Sequence, residues 1–275
     1  MDSKITVDVV VCTYNSEFIL DKVLRSIVEN IPIHTLFIID KFSKDNTITI
    51  AKSFGAKIIQ SNCGILEARA LGFKMVETEL FVNIDSDVIL PPRWWEKMML
   101  YWEEDLGCLW GITIEQSPLH KAYIESMYKF RDPTKYNITH LPNMIAKRSI
   151  LADIAIPKGL QNYSFGNDDA WIYHWMKNVK RARIKNAPVR CKHYSYPKPL
   201  GCKSYWFGAG ARLTRLTKLR SLLLRTALAF PQSCFAGLVS RNARVIPYWT
   251  RFRFECLIGW LRWDKYLELK RGMKK

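Results

Sequence analysis

Short apolar segments alternate with amphipathic segments through the first 110 residues, and this alternation constrains the fold more than any other feature of the sequence. Strands are predicted at residues 6–11, 36–39, 57–59 and 80–84. Helices with apolar residues at helical spacing are predicted between them, at residues 18–28, 48–54 and 66–76. Fully apolar strands separated by helices are typical of βαβ units. The pattern therefore predicts an α/β fold with a mostly parallel sheet flanked by helices.

Polar residues follow three of these predicted strands. Thr13 and Tyr14 follow the first strand, Asp40 follows the second, and Asp85 and Asp87 follow the fourth. Ligands of open parallel sheets bind at the carboxyl ends of the strands. Side chains two residues apart in an extended segment point to the same side, so both carboxylates of the last pair can face one cation. Mg²⁺ and Mn²⁺ prefer such oxygen ligands together with substrate phosphates, so a metal site is predicted here.

Four segments, taken in order, resemble family 2 of the glycosyltransferases, which has the Rossmann-like GT-A fold. They are residues 9–15, 38–47, 62–72 and 85–87, the last followed by Pro91. A weaker continuation is Gly166-Asn167-Asp168-Asp169 and then His193. The resemblance covers roughly residues 6–195 and implies an enzyme that uses a nucleotide-sugar donor and a divalent cation, Mn²⁺ or Mg²⁺.

The resemblance also implies a role for each matching residue. Cys12, Thr13 and Tyr14 would line the nucleoside pocket, Asp40 would bind the base or the ribose, and Arg69 would lie near the donor diphosphate. Asp85 would contact the ribose or the metal, Asp87 would be the main metal ligand, and His193 would complete the metal shell. Many members carry a second acid after the Asp40 position, whereas this chain has Lys41. The choice between a UDP-sugar and a GDP-sugar is therefore left open.

The pair Asp168 and Asp169 provides the candidates for a general base, at the start of a helix predicted over residues 168–177. Sugar transfer with inversion needs a carboxylate that takes the proton of the acceptor hydroxyl. Family members usually carry Glu-Asp here, and aligning Ile172 with the apolar position of the family assigns the base to Asp169. A register shift of one residue would assign it to Asp168. The structural alternative is an acidic first turn that is stabilised by the helix dipole.

The charge of the chain is concentrated in its last third. Residues 1–179 hold 19 Lys and Arg against 22 Asp and Glu, a net charge of −3, whereas residues 180–275 hold 23 against three, a net charge of +20. No nucleic-acid-binding motif accompanies this charge, so nucleic acid is not the predicted partner. The sequence predicts a catalytic domain over residues 1–203 and a basic, aromatic-rich helical extension over residues 204–275.

The extension contains two apolar segments, residues 222–239 and 245–263, and both are interrupted by charged residues. Neither provides an uninterrupted apolar span, so neither is predicted to cross a bilayer. Trp and Phe beside Arg and Lys are typical of helices that lie in a membrane interface. We therefore expect a peripheral, monotopic association with an anionic membrane surface; the alternative is a set of helices packed on the catalytic domain with a solvated basic face.

Cysteine usage and the N-terminal segment predict the cytoplasmic side of that membrane. The seven cysteines are scattered and show no CxxC pair, which favours a reducing compartment, and no signal peptide is predicted from Met1 onward.

These observations together predict a metal-dependent, inverting glycosyltransferase that moves a hexose to a lipid-linked acceptor, such as polyprenyl or dolichyl phosphate or a lipid-linked glycan. Two alternatives remain. In the first, the enzyme glycosylates a soluble or polysaccharide acceptor. In the second, the chain is a non-catalytic membrane-binding protein on a GT-A-like scaffold. A nucleotidyltransferase is disfavoured, because no Gly-rich phosphate loop follows the first strand.

Overall fold

The computed structural model describes residues 5–129, 132, 134, 142–160, 168–194 and 200–265, without the side chains of residues 159 and 200–203. The strands are β1 (Val7–Thr13), β2 (Ile33–Asp40), β3 (Lys57–Gln60), β4 (Leu80–Asp85), β5 (Val88–Ile89), β6 (Leu106–Glu115), β7 (Asn143–Lys147) and β8 (Arg183–His193). The helices are α1 (Glu17–Asn30), α2 (Thr47–Ser53), α3 (Ile65–Met75), α4 (Trp94–Met99), α5 (Pro118–Tyr128), α6 (Arg148–Leu151), α7 (Asp168–His174), α8 (Leu200–Leu213), α9 (Leu219–Ala227), α10 (Ala229–Ser240) and α11 (Val245–Leu261).

The strands form one eight-stranded sheet in the order β3-β2-β1-β4-β7-β6-β8-β5. The four strands nearest the start of the chain pair in parallel, as the alternation of strands and helices predicts. Beyond β4 the sheet continues with antiparallel pairs, β4 with β7, β7 with β6, and β8 with β5. The predicted α/β fold is confirmed, and its parallel part is confined to β1–β4.

Helices cover both faces of the parallel part. The apolar face of α1 packs into one buried cluster with Val7, Val9 and Val11 of β1. Successive strand residues point to opposite faces, so Val10 faces the other side. There α3 approaches closely, because a Cβ on Gly72 would lie only 2.4 Å from the side chain of Val10. Burial on both faces explains why β1 is apolar at almost every position.

By spatial clustering the chain divides into two compact units. The first comprises Met1–Ile114, Pro133–Ile156 and Ile172–Tyr194, and it contains most of the sheet. The second comprises Glu115–Asp132, Pro157–Trp171 and Ser195–Lys275. The sequence predicted one boundary along the chain, near residue 203, and this boundary stays a prediction. The spatial division differs from it, because it groups two earlier segments, Glu115–Asp132 and Pro157–Trp171, with the C-terminal helices.

Within the second unit, α8 packs along α11, and α5 packs against α10 and α11. Glycines allow the close approach of α8 and α11: a Cβ on Gly208 would lie 1.9 Å from the carbonyl oxygen of Cys256, and one on Gly259 would lie 2.2 Å from that of Tyr205. No single helix in the described part of the chain is long and apolar enough to cross a membrane. Only when taken together are α9 and α10 long and apolar enough to cross, and the chain bends by 44° between them.

Candidate active site

The predicted site residues at the strand ends lie along one edge of the parallel part of the sheet. The strand register places Thr13 opposite Asp40 and Cys12 opposite Asp85, so the carboxyl ends of β1, β2 and β4 are level. Asp87 follows two residues after Asp85, directly before β5. The structure thus brings the residues predicted from three separate segments to one edge.

Asp87 is held next to His193 by the pairing of β5 with β8. Val88 lies opposite His193 in this antiparallel pair, and the backbone N–H of Tyr194 donates to the carbonyl oxygen of Asp87 at 2.7 Å. The carboxylate Oδ1 of Asp87 lies 3.1 Å from Nε2 of His193, and both side chains are partly exposed. An oxygen ligand and a nitrogen ligand therefore converge at a position open to solvent. Among the described residues, no group of three or more His, Cys, Asp or Glu side chains could hold a metal.

Asp85 is paired with Arg69. The guanidinium Nη1 of Arg69, buried on α3, lies 2.7 Å from Oδ1 of Asp85. The backbone N–H of Asp85 donates to the carbonyl oxygen of Pro142 at 3.0 Å, which fixes the end of β4. The Asp85 carboxylate thus fixes the guanidinium at the end of β4, and the planar donor set of arginine suits oxyanions. The predicted contact of Asp85 with a metal stays a prediction, since in this geometry one of its oxygens faces Arg69.

Asp40 is enclosed by hydrogen-bond donors. Its Oδ1 accepts from the hydroxyls of Thr13 at 2.9 Å and Ser43 at 2.5 Å, and its Oδ2 accepts from the backbone N–H of Ser43 at 2.8 Å and from Gln60 at 3.3 Å. The side chain is fully buried. In this geometry Asp40 positions the loop that follows β2, and its predicted contact with a nucleoside stays a prediction that would require one of these donors to move.

The loops after β1 and β2 are joined by side chains to which the sequence analysis gave no role. Asn15 accepts from the backbone N–H of Lys44 at 2.9 Å, and its own N–H donates to the hydroxyl of Ser43 at 2.9 Å. Asp45 accepts from the backbone N–H groups of Glu17 and Thr47, both at 3.1 Å. Burial alone would raise the pKa of Asp45, but these hydrogen bonds hold it below its ordinary value. The available signal was the run of Asn, Ser and Asp after two strands, since these residues bond nearby backbone groups in turns.

The same loops connect to the aspartate pair. The hydroxyl of Ser16 lies 3.1 Å from the hydroxyl of Ser86, the residue between Asp85 and Asp87. The backbone N–H of Ser16 donates in turn to the hydroxyl of Thr47 at 2.7 Å, at the start of α2. A short chain of hydrogen bonds therefore joins the ends of β1 and β4 to the first turn of α2, and it restrains the loop that carries Asp87.

Two aromatic side chains are exposed on these loops, Tyr14 after β1 and Phe42 after β2. Phe42 has a positive φ of 51°, and Asn15, in the loop after β1, has a positive φ of 48°. Both loops therefore bend sharply. Cys12 and Thr13 are buried. Of the three residues predicted to line a nucleoside pocket, Tyr14 therefore offers a side chain to a ligand, and Cys12 and Thr13 can offer little beyond backbone.

Asp168 and Asp169 form the first turn of α7 and cluster spatially with the second unit. Oδ1 of Asp169 accepts from the backbone N–H of Ala170 at 2.8 Å. The preceding motif residues, Gly166 and Asn167, lie outside the described residues. The assignment of the general base to this pair stays a prediction.

Comparison with known proteins identifies the family of the chain. The family model described as "Glycosyl transferase family 2" matches residues 8–154, which is more than half of the chain. A protein of Haemophilus influenzae, described as an uncharacterized glycosyltransferase, is 29% identical over 150 residues. That match covers 49% of this chain and 45% of the relative, so the chain spans less than half the length of this curated relative.

Solved structures share the fold. The mannosyltransferase PcManGT from Pyrobaculum calidifontis, in complex with GDP-Man and Mn²⁺, matches 94% of this chain and 87% of its own with a TM-score of 0.63 and 16% identity. Glucosyl-3-phosphoglycerate synthase from Mycobacterium tuberculosis, in complex with Mn²⁺, UDP and phosphoglyceric acid, matches 78% of this chain and 81% of its own with a TM-score of 0.57 and 17% identity. At these identities the likeness establishes the fold. Together with the family model, it shows that this chain belongs to glycosyl transferase family 2 and confirms the predicted GT-A fold.

Proposed function

We propose that this protein is a metal-dependent, inverting hexosyltransferase that uses a UDP- or GDP-sugar and acts on a lipid-linked acceptor at a membrane surface. The observation that carries the catalytic part is the convergence of the Asp87 carboxylate and the His193 imidazole, 3.1 Å apart, beside the Asp85–Arg69 pair. These four side chains come from α3, β4, β8 and the turn between β4 and β5, and they lie at the edge of the sheet where ligands of such folds bind.

Asp87 and His193 fit a divalent cation by their chemistry. A carboxylate oxygen suits Mg²⁺ and Mn²⁺, and neutral imidazole is the commonest protein ligand of metals. Two protein ligands leave the remaining positions for substrate phosphates and water, which is the usual way in which Mg²⁺ is held in nucleotide sites. When bound, such a cation neutralises charge on the diphosphate leaving group. The Mn²⁺ in the mannosyltransferase and synthase complexes supports this proposal.

Arg69 and Tyr14 are proposed to hold the donor. The guanidinium of Arg69 is fixed by Asp85, and its planar set of donors suits a diphosphate oxygen. The exposed ring of Tyr14 offers an apolar face to a base or ribose. Lys41, which follows Asp40, leaves the base unspecified. The mannosyltransferase was crystallised with GDP-Man and the synthase with UDP, so both nucleotides remain candidates.

Asp169 is proposed as the general base, with Asp168 as the alternative if the register differs by one residue. As the acceptor oxygen attacks the anomeric carbon, a carboxylate must take the proton of that hydroxyl, and the bond to the diphosphate breaks on the opposite side. This single displacement inverts the configuration of the anomeric carbon. The position of both carboxylates in the first turn of α7 favours the ionised form, which a base requires.

The membrane part of the proposal rests on the burial pattern of α10 and on exposed apolar side chains of the C-terminal helices. The residues that α10 buries are small, namely Ala229, Ser233, Ala236 and Gly237. Several large apolar residues of the C-terminal helices are exposed, namely Leu224, Phe230, Leu238, Phe254, Ile258 and Leu261, although Trp249 and Trp260 of α11 are buried. Small residues between helices and large apolar residues outside are typical of helices packed in lipid. Together with the net charge of +20 after residue 179, this pattern favours a monotopic association with the cytoplasmic face of an anionic membrane.

A soluble acceptor is the second candidate, because the structurally similar synthase was crystallised with phosphoglyceric acid, a small soluble compound. A two-stage experiment decides between them. Thermal shift with UDP-, GDP- and dTDP-sugars in Mn²⁺ first identifies the donor; a ligand at 100 times its Kd should stabilise the protein by about 2.7 kcal/mol.

Transfer of the labelled sugar is then measured to a polyprenyl phosphate in detergent and to a panel of soluble glycans and phosphorylated acids. We expect product on the lipid. Product on a soluble compound alone would overturn the lipid-linked acceptor while leaving the glycosyltransferase intact. Failure to cleave any nucleotide sugar would favour the non-catalytic alternative.

A further inference from the structure

Arg253 on α11 is a cation enclosed without a carboxylate partner in the described part of the chain. Its Nε is shielded from solvent and has no hydrogen-bond partner among the described residues. The nearest acid in sequence, Glu255, is engaged elsewhere, since its carboxylate accepts from Nε of Arg251 at 2.7 Å and from the hydroxyl of Ser204. A buried donor that is left unpaired destabilises a fold, and a charged donor does so more strongly. The molecule therefore carries a donor that a ligand could satisfy.

The guanidinium of Arg253 lies against a stack of aromatic rings, Trp249, Tyr123 and Phe252, which is called the aromatic platform below. Its central carbon lies 5.0 Å from the centroid of the Trp249 ring. That ring is stacked on Tyr123 at 3.8 Å and on Phe252 at 5.0 Å between centroids, with interplanar angles of 18° and 14°. Contact with an aromatic face orients the guanidinium plane, and its N–H groups lie in that plane. A hydrogen bond with the side chain of Tyr123 also holds the guanidinium, and its Nε is left as the unpaired donor that an oxyanion could accept from.

A second arginine, Arg225, lies on α9, a helix that packs against α11. Burial lowers the pKa of Arg253, and the positive charge of Arg225 on α9 lowers it further. Arg225 is exposed on its helix. Two like charges that approach each other destabilise the fold unless an anion lies between them. An anion bound here would remove that repulsion and pair the unsatisfied Nε at the same time.

We propose that Arg253 and Arg225 form a binding site for a phosphate group. Exposed apolar side chains lie on the same two helices, Leu224 on α9 and Phe254 on α11. A phosphate with an attached acyl or isoprenoid chain satisfies both features, since the cations bind its oxygens and the chain covers the apolar surface. The phosphate comes either from such a lipid headgroup or from a soluble phosphorylated compound. A lipid as the source of the phosphate depends on the membrane association in the proposed function, whereas the phosphate site itself does not depend on it.

The site is tested first without lipid. The ¹H–¹⁵N signal of the Arg253 Nε group in the full-length protein is assigned by its loss in R253K, and inorganic phosphate is titrated at constant ionic strength. We expect a saturable shift of this signal, and no comparable shift of the Arg251 signal, because Arg251 already pairs with Glu255. The variant R225Q, on an exposed position, keeps the aromatic platform and should weaken phosphate binding even if R253K folds poorly.

The second arm identifies the source of the phosphate. Vesicles that contain phosphatidate and vesicles that contain phosphatidylserine are compared at equal surface potential. We expect wild-type protein to prefer phosphatidate by about tenfold, as the loss of one charge-assisted hydrogen bond implies. R253K should lose this preference, and the matched control R251K, on the same helix, should keep it.

A shift with inorganic phosphate but no phosphatidate preference supports the site with a soluble source. A shift of the Arg253 signal with inorganic phosphate, without binding to any vesicle, supports the site and overturns the proposed membrane association. No shift and no preference overturns the site.

Discussion

At the scale of single residues, three aspartates that look alike in the sequence have three different surroundings. Asp40 is enclosed by four donors, Asp85 faces the guanidinium of Arg69, and Asp87 is partly exposed beside His193. Each one ends or follows an apolar strand, so the sequence predicted their location. Their partners come from residues as far away as β8, and such long-range pairings leave no local signal. The structure therefore supports a metal-binding role most directly for Asp87.

Asp40 provides a prediction about loop stability. Asp40→Asn replaces an acceptor oxygen with an NH₂ group that faces donors, so we expect a loss of about 1–3 kcal/mol in the free energy of unfolding. Urea denaturation measures this loss. The control Asp21→Asn removes an exposed carboxylate that pairs with Arg25 on α1, and it should change stability by less than about 0.5 kcal/mol. Equal stability of the two variants would show that the enclosure of Asp40 contributes little.

Asp169 provides a prediction about catalysis. Asp169→Asn should leave nucleotide binding unchanged and reduce the rate of transfer by a factor on the order of 10² or more, since an amide cannot take the acceptor proton. Single-turnover assays with the donor identified above measure the rate, and calorimetry measures donor binding. A large loss in Asp168→Asn in place of Asp169→Asn would move the base by one residue. If both variants transfer normally, the base lies elsewhere in the chain.

At the scale of elements, local patterns predicted the parallel strands, and long-range pairing determined the rest of the sheet. Short strand-like runs of three to six residues between helices identified β1 to β4. The sequence also predicts a strand at residues 108–114 and a strand that leads into a helix over residues 143–151, which are β6 and β7 with α6. Their antiparallel pairing, and that of β8 with the two-residue β5, depends on contacts between distant segments. The predicted apolar segments after residue 222 form three helices. Pro231 and Pro247 do not break them, because both prolines lie in the first turn, where no backbone N–H is needed.

The contact of α8 with α11 gives a prediction at this scale. Gly208→Ala would place a methyl group 1.9 Å from the backbone carbonyl of Cys256, so the helices must separate, and we expect a loss of about 1–3 kcal/mol. Gly237→Ala is the matched control on α10, because its nearest neighbour is the side chain of Ile246, which can rotate. Thermal unfolding in detergent compares the two. A Gly208→Ala variant as stable as Gly237→Ala would contradict the close helix contact.

At the scale of the whole molecule, charge and exposed apolar surface are concentrated in the same C-terminal helices. The sequence predicted this region from its net charge of +20 and its aromatic residues. It could not predict which faces are exposed, because small and large apolar residues alternate there without a clear period. The helices of the second unit also pack on α5, so deleting the residues after 203 would expose the apolar face of α5. Substitutions in the full-length chain are therefore the better test.

We predict that vesicles with anionic lipids capture the protein far more strongly than neutral vesicles. High salt should release it only partly, because screening weakens the attraction to headgroups but not the burial of apolar side chains. The triple variant L224Q/L238Q/F254Q should reduce capture on both kinds of vesicle, whereas L100Q, at a more exposed position in the first unit, should not. Equal capture by anionic and neutral vesicles would remove the electrostatic part of the proposal. Extraction by detergent alone, and not by carbonate, would indicate a spanning segment.

The central claim is that Asp87 and His193 bind the cation that holds a nucleotide sugar. The most direct test is calorimetric titration of UDP and GDP into wild-type protein, D87A, H193A and the control D21A, each with and without Mn²⁺. We predict that one nucleotide binds wild type and D21A at least about tenfold more tightly with Mn²⁺, a difference of about 1.4 kcal/mol. D87A and H193A should lose this metal dependence, and D87A should lose turnover. Metal-dependent binding and activity in D87A near those of wild type would contradict the account.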